Sequence, residues 1–529
     1  MNELPLLTLI TFLPLLFVVI VLLIPSSKGT AIKVTSLAVT ILQLIISGVI
    51  WYGYNYSAAG FNTYESFQFV EKFRWIHIEN LSWVGTFKVD YFLGIDGLSA
   101  PLIFLTSLIV FLATISSWSI NTSVKGFFSL LLLLNTGMMG VFVSLDLFLF
   151  YIFWELVLLP MFFLIGIWGG PRKEYSAMKF FIYTLVGSVL ILVVFIGLYL
   201  SFREGSGNGS VFTFNLIELS NIKNGIKDGG FLSYFNPHNL RYFAFIALMI
   251  GFAIKIPVFP FHTWLPDAHV EAPTPISVVL AGVLLKLGGY GILRIVYPLF
   301  PEFSVQLAWF TGLFGVINII YGALAAMAQE DIKKLIAYSS VSHMGYVMLG
   351  IAAVNTTGMS GAVFQMFNHG ITTASLFLLV GVIYDRTHLR GVNDFGGLAN
   401  VMPVYTGVTT IAFFASFGLP GLNAFVSELL VYMGAFQSEV TRMLALIALL
   451  GVLLGAAYFL WTMKRVFFGK TNEKWGELKD LTLREWIMFT PLVFLMIFFG
   501  VYPSPILNMI TPSMNSLQSV LLNFYNLVK

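Results

Sequence analysis

The sequence predicts an all-α polytopic membrane protein of about 14 transmembrane helices, with inverted-repeat halves and two broken helices. Three observations carry this prediction. First, the 529 residues are 58% hydrophobic and only 10% charged. An average soluble domain is roughly 25% charged. Such a chain cannot cover a globular surface with polar groups, so its solvent is lipid. Second, fourteen segments supply the ~20 apolar residues that one helix needs to cross a bilayer core. They lie near 4–24, 31–54, 97–120, 126–145, 147–168, 176–202, 240–264, 274–298, 304–328, 333–354, 361–384, 403–437, 441–467 and 485–509. Third, segments 7 and 12 are interrupted by Pro or Gly. They are five helices apart, an odd offset that orients them oppositely, as in an inverted repeat.

In chain order, the first segment has no basic stretch before it and no small-residue cleavage site after it. It reads as a retained membrane helix and not a signal peptide. A long loop at about 55–96 mixes charge with aromatics (Glu65, Glu71, Lys72, Arg74, Trp75), and a second, at about 203–238, is rich in Gly and Asn. Segment 12 is long enough for two helices, which leaves a count of 15 open. The expected organisation is a three-helix N-terminal part (1–120), two five-helix repeats (121–300 and 301–468), and a C-terminal helix and tail (469–529). Of the 28 Lys and Arg, 16 fall in or beside loops that follow odd-numbered helices. Ten, Arg294 among them, fall on the other side, mostly in or near the two long loops. By the positive-inside rule the odd loops face the cytoplasm and both termini face outside. An even helix count agrees. The scattered cations give no nucleic-acid patch. The chain has no cysteine, which excludes disulfides, thiol catalysis and iron–sulfur ligation by this chain.

The remaining two cations lie inside helices. A charge at the bilayer centre costs about 2.5–3.5 kcal/mol on insertion scales and is read first as functional. Glu155, in "LFYIFWELVLLPMFFL", is too deep to reach the interface. It is either a protonated carboxyl bonded to a neighbouring helix or a proton carrier paired with a cation. Lys286, in "VVLAGVLLKLGGYGILRIV", either snorkels or stands in a wet interior cavity where it holds and releases a proton. Lys255 precedes Pro257 by two in "GFAIKIPVFPFHTWLPDAHVEAPTP". Pro257 and Pro260 deprive the carbonyls of residues 253 and 256 of their helix donors, and these must find water or protein partners. A hydrated pocket beside Lys255 is expected, with a structural Lys capping those carbonyls as the alternative.

Glu428 follows the "LPGLN" break of segment 12, either at a helix end or at depth. His262, His343 ("SSVSHMGYVM") and His369 ("FQMFNHGITTASLF") are either satisfied core histidines or relay groups. Asp146, Asp267 and Glu271 fall at helix ends and are expected at the interface. Asp331, Lys333 and Lys334 read as a solvated loop cluster. No aromatic cage and no cluster for a large ligand is foreseen, so the inventory suits a proton path better than a substrate pocket. A haem cytochrome ligated by His343 and His369, and a solute carrier with its site at the two breaks, are the other classes to weigh.

The stretch "GFAIKIPVFPFHTWLPDAHVEAPTPISVVLAGVLLKLGGYGILR" closely resembles the signature of the antiporter-like membrane subunits of proton-translocating NADH:quinone oxidoreductase, respiratory complex I. "FWELVLLPMFFLIGIWGG", "IAYSSVSHMGYVMLGI" and "NAFVSELL" resemble further blocks of that family. Glu428, where relatives usually carry Lys, and the short tail, with no long lateral helix, resemble the chain M (subunit 4) branch. A subunit of an Mrp-type Na⁺/H⁺ antiporter is the runner-up. The resemblance implies a non-redox, proton-pumping subunit in the bacterial inner membrane. It implies that Glu155 and Lys255 pair on helices 5 and 7 and that Lys286 is the central Lys of helix 8. His262, His343 and His369 then line a hydrated axis, and Glu428 is the terminal acid. It implies no cofactor in this chain, with FMN, iron–sulfur clusters and quinone in partner subunits. The implied neighbours are the antiporter-like chains L and N and the lipids, with no nucleic acid.

Overall fold

The computed structural model describes residues 4–57, 60–81, 85–201, 203–204, 211–220 and 237–528. Much of the Gly- and Asn-rich loop, with Lys223 and Lys227, lies outside the described residues. In chain order the elements are α1 (Leu6–Leu23), α2 (Gly29–Tyr52), β1 (Gln68–Leu81), β2 (Gly85–Ile95), α3 (Ser99–Ser116), α4 (Val124–Val143), α5 (Leu147–Leu156), α6 (Leu158–Trp168) and α7 (Lys173–Ser201). After the two-residue strands β3 (Arg203–Glu204) and β4 (Val211–Phe212) come α8 (Leu216–Ser220), α9 (Pro237–Lys255), α10 (Trp264–Glu271), α11 (Thr274–Val279), α12 (Leu285–Gly291), α13 (Tyr297–Leu299) and α14 (Pro301–Gln306). The remainder are α15 (Ala308–Met327), α16 (Ile332–Ala352), α17 (Thr356–Thr387), α18 (Leu398–Val401), α19 (Pro403–Ser416), α20 (Asn423–Gln437), α21 (Arg442–Ala448), α22 (Leu450–Val466), α23 (Leu483–Val501) and α24 (Ser504–Val528).

Among the described residues, twelve helical stretches are long and apolar enough to cross a membrane. The two other expected segments are the interrupted ones, now seen as α9 with α10 and α19 with α20. Side-chain oxygens start several helices by accepting otherwise orphaned N–H groups. Asp146 caps α5, Asp331 caps α16, Asn355 caps α17, and Thr482 with Glu485 forms a capping box on α23. Burial is strongly graded. The apolar windows of the Thr274–Leu299 and Thr356–Thr387 stretches are wholly enclosed, whereas α1, α7 and α23 are one-third buried. The outer helices thus turn apolar side chains outward, and the polar ones concentrate on central helices.

The fold is helical as expected, and the 55–96 loop adds a β-hairpin to it. There β1 and β2 pair antiparallel, Phe73 opposite Tyr91 and Ile76 opposite Val89. Aromatic and β-branched residues alternating with charges ("QFVEKFRWIHIENL") were the strand signal. The hairpin is tied to the bundle by Glu71, whose carboxylate accepts from the N–H groups of Leu7 (2.8 Å) and Thr8 (3.1 Å) at the start of α1. The expected tail is also structured. Helix α24 buries Ile506, Met509, Ile510, Met514, Leu517 and Leu521. Its approach to the start of α3 requires glycine at 97, where a Cβ would stand 1.9 Å from the Met509 carbonyl oxygen. The hairpin, the start of α1 and α24 therefore share one face of the bundle, called the hairpin face below.

Candidate functional site

The break after α9 sets the first part of the site. Val258 N–H donates to the Ala253 carbonyl at 2.9 Å, and the Trp264 indole donates to the Ile254 carbonyl at 2.9 Å. Asn318 of α15 bridges the gap. Its Oδ1 accepts from Phe259 N–H (2.7 Å) and its Nδ2 donates to the Pro257 carbonyl (3.1 Å). Protein groups thus satisfy the carbonyls of Ala253, Ile254 and Pro257. Lys255 is not their cap. Its buried ammonium lies 5.0 Å from the Trp154 ring and 5.8 Å from that of Phe180. That aromatic seat corrects the expectation of no aromatic cage, and its attraction to a desolvated cation is worth up to about 2 kcal/mol.

Glu155 is half-buried at the end of α5, next to Trp154. It lies close enough to Lys255 for its charge to act on the amine. Among the described residues, no direct ion pair joins the two. Trp154, held by its N–H···Oγ bond to Ser188 (3.1 Å), stands beside both.

The second part is continuous. Lys286 is fully buried on α12, between two π-helical segments, Leu280–Leu284 and Ile292–Val296. Its ammonium donates to the Ala281 carbonyl within the first π segment and contacts His369 Nδ1 of α17 at 2.8 Å. With the Lys286 ammonium as donor, Nδ1 accepts, and the His369 proton is assigned to Nε2. The His369 and His343 rings are 5.5 Å apart. His343 Nδ1 of α16 is 3.3 Å from Glu428 Oε1 of α20. Gln365 lies over this pair, within 3.5 Å of both His343 Nδ1 and Glu428 Oε1, and its carbonyl accepts from the Ser427 hydroxyl at 2.6 Å. Glu428 is buried, so the break in segment 12 brings it inside. Gly418, in that break, has φ +75°, and a Cβ there would lie 2.7 Å from Glu428 Oε2. Four helices thus align Lys286, His369, His343 and Glu428, with the two histidines in the reverse of their sequence order.

Other residues fall elsewhere. His262 is buried in the first break, its ring 5.0 Å from Tyr321, apart from that line. Asp146 and Glu271, expected at the interface, are buried, Asp146 as a cap whose Oδ2 also accepts from Asp90 N–H at 3.3 Å. Asp267 is partly exposed and pairs with Lys179 at 2.7 Å. The solvated cluster is corrected as well: Lys333 is buried in the first turn of α16 and donates to the Ala272 carbonyl at 2.5 Å. It borders a cavity of about 240 Å³ on the face opposite the hairpin, with Glu271, Arg390, Arg484 and Glu485. His269, buried and stacked on Phe377 at 4.5 Å, was overlooked beside its more obvious neighbours. Gln365 and Asn318 were overlooked too, although a polar amide in an apolar helix is itself a signal.

Residues 144–455 match the family described as NADH:quinone oxidoreductase/Mrp antiporter, transmembrane. The chain belongs to this family. It is 42% identical to NADH-quinone oxidoreductase subunit M of Rhodobacter capsulatus, over 96% of this chain and 95% of that one. With the subunit M of Rickettsia bellii the identity is 40%, over 98% and 99%. A chain of respiratory complex I from Thermus thermophilus superposes with TM-score 0.81 at 28% identity, covering 97% of this chain and 99% of that one. A chain of the Mrp complex from a Dietzia species shares the fold, TM-score 0.78 over 98% and 99%, at 20% identity. Within the family, the resemblance to subunit M that the sequence suggested is therefore borne out over the Mrp alternative, and a membrane-embedded place in a multi-subunit complex follows.

Proposed function

We propose that this chain moves protons across the membrane as a non-redox pumping subunit of an NADH:quinone oxidoreductase. The observation that carries this reading is the buried line from Lys286 through His369 and His343 to Glu428. Imidazoles can accept and donate protons, and the line ends on an acid. An ammonium at Lys286 passes its proton to His369 Nδ1. His369 releases one from Nε2 toward His343, and Glu428 takes it from His343 Nδ1. Water completes the ring-to-ring step. Glu155 and Lys255 act beside this line as the electrostatic trigger. When Glu155 closes on Lys255 the cation is held, and when it withdraws the charge is free to bias Lys286.

Moving one charge against the membrane potential costs about 2.3 kcal/mol per 100 mV, so the energy must come from outside the chain. The reading places that source in partner chains holding FMN, iron–sulfur clusters and quinone, and it places antiporter-like chains of types L and N alongside. The location is a bacterial inner membrane, with both termini and the hairpin face outward.

The test uses inverted membrane vesicles containing the whole complex. Glu155→Gln and Lys286→Met should each leave the complex assembled and lower protons moved per NADH oxidised. An assembled Glu155→Gln complex that pumps at the native ratio removes the trigger from the mechanism, and the same result for Lys286→Met removes the relay.

A further inference from the structure

A second polar line begins one helical turn beyond Lys286 and runs the other way. Tyr290 and Arg294 follow Lys286 at four and eight residues, so the line ends about two turns, roughly 12 Å, from it toward the hairpin face. Arg294 sits in the second π segment and is wholly enclosed. Its guanidinium pairs with Asp96, the residue directly after β2. It also donates to the Tyr290 hydroxyl at 3.2 Å, to Ser99 Oγ at 3.3 Å and to Asn62 Oδ1 at 2.9 Å. The Tyr290 hydroxyl in turn donates to the Phe142 carbonyl at 3.1 Å. Beyond Arg294, Asn62 borders a cavity of about 360 Å³ on the hairpin face, with Tyr64, Glu218 and Ser220. Through Asn62, the Arg294 cluster stands between that cavity and the Tyr290 end of the line.

We infer that Arg294, held by Asp96, is a permanently charged barrier that closes this shortcut between Lys286 and the hairpin face. The inference rests on the proton-pumping reading above. Two physical arguments support it. A chain of proton hops needs groups that both accept and donate, and a guanidinium only donates. It also stays protonated at any physiological pH, so it cannot pass its own proton on, and its fixed charge repels an incoming one. Three aromatic rings, Phe61 at 4.9 Å, Phe67 at 5.2 Å and Tyr290 at 5.4 Å, surround the guanidinium. Protons leaving Lys286 are thereby left with the His369 route to Glu428, which makes Arg294 a positioning residue for direction and not a carrier.

The experiment measures passive decay of an imposed pH gradient in sealed vesicles containing the whole complex, without NADH. One variant, Arg294→Met with Asp96→Leu, removes both charges together and so avoids stranding one. The second, Arg294→Lys, keeps a cation that can release its proton. Assembled Arg294→Lys should leak several-fold faster than native, whereas the apolar double variant, which offers no group that accepts and donates, should stay at the native rate. Adding Lys286→Met to Arg294→Lys should return the leak to the native rate, a readout that a merely structural pair would not move. A native leak rate in assembled Arg294→Lys overturns the inference, as does a leak that survives Lys286→Met. Neither outcome depends on the pumping ratio of Glu155→Gln, so failure of the pumping reading is seen separately.

Discussion

Lys255→Met separates the two demands on a buried amine. An ammonium at bilayer depth costs about 3 kcal/mol relative to an apolar residue. Its seat on Trp154 and Phe180, at 5.0 and 5.8 Å, returns about 2 kcal/mol. Among the described residues no hydrogen bond of Lys255 is lost, and the Ala253, Ile254 and Pro257 carbonyls are taken by Val258, Trp264 and Asn318. Methionine keeps the length of the stem and packs well against aromatic rings. The variant should therefore be as stable as native or more so, by about 1 kcal/mol, while losing the charge on which Glu155 acts. Two assays on one preparation decide the matter. Thermal melting of the solubilised complex should show an unchanged or higher transition. Protons moved per NADH oxidised should fall. A clearly lower melting transition would mean that Lys255 is a structural post, and native pumping would mean that its charge is idle.

Two further outcomes are expected. Asn318→Leu keeps the packing volume but strands the Phe259 N–H and the Pro257 carbonyl, at about 1–3 kcal/mol each, so the melting transition should drop, and a native one would show that the break does not need this bridge. Burial pushes the Asp146 carboxyl up from 3.8 to about 7, against the backbone N–H bonds of Leu149, Asp90 and Phe148. An acid raised in the folded state contributes full stability below pH ~4 and loses it as pH rises to ~7, by an order of 4 kcal/mol. Asp146→Asn keeps the cap and should flatten that dependence, so thermal melts of variant and native should agree at acid pH and part at pH 8, and parallel curves would refute the shift.

Particular residues show what could be read in advance. Glu155, Lys255 and Lys286 announced themselves because a charge inside twenty apolar residues has no innocent explanation by composition. The interruptions at Pro257, Pro260 and Gly421 were equally plain, since neither residue type continues a helix comfortably. Arg294 was not, because it lies near a helix end by sequence count, where a cation ordinarily reaches the interface. It is enclosed because Asn62, Asp96, Phe61 and Phe67 come from distant parts of the chain. Lys333 misled in the same way: a Lys beside Asp331 and Lys334 looks solvated until the end of α10 is laid across it. The hairpin carried a strand signal that the long apolar context obscured.

Composition and hydropathy alone determined that the chain is a membrane bundle with two broken helices and charges at depth, because lipid tolerates few other arrangements of such a sequence. Which of those charges touch was decided only by the tertiary fold. Lys286, His369, His343 and Glu428 are spread over more than 140 positions, and no local rule fixes the rotation of one helix against another. Packing around Gly418 and the two π segments sets those rotations, and it joined four of the foreseen residues while leaving Glu155 and Lys255 near each other but apart.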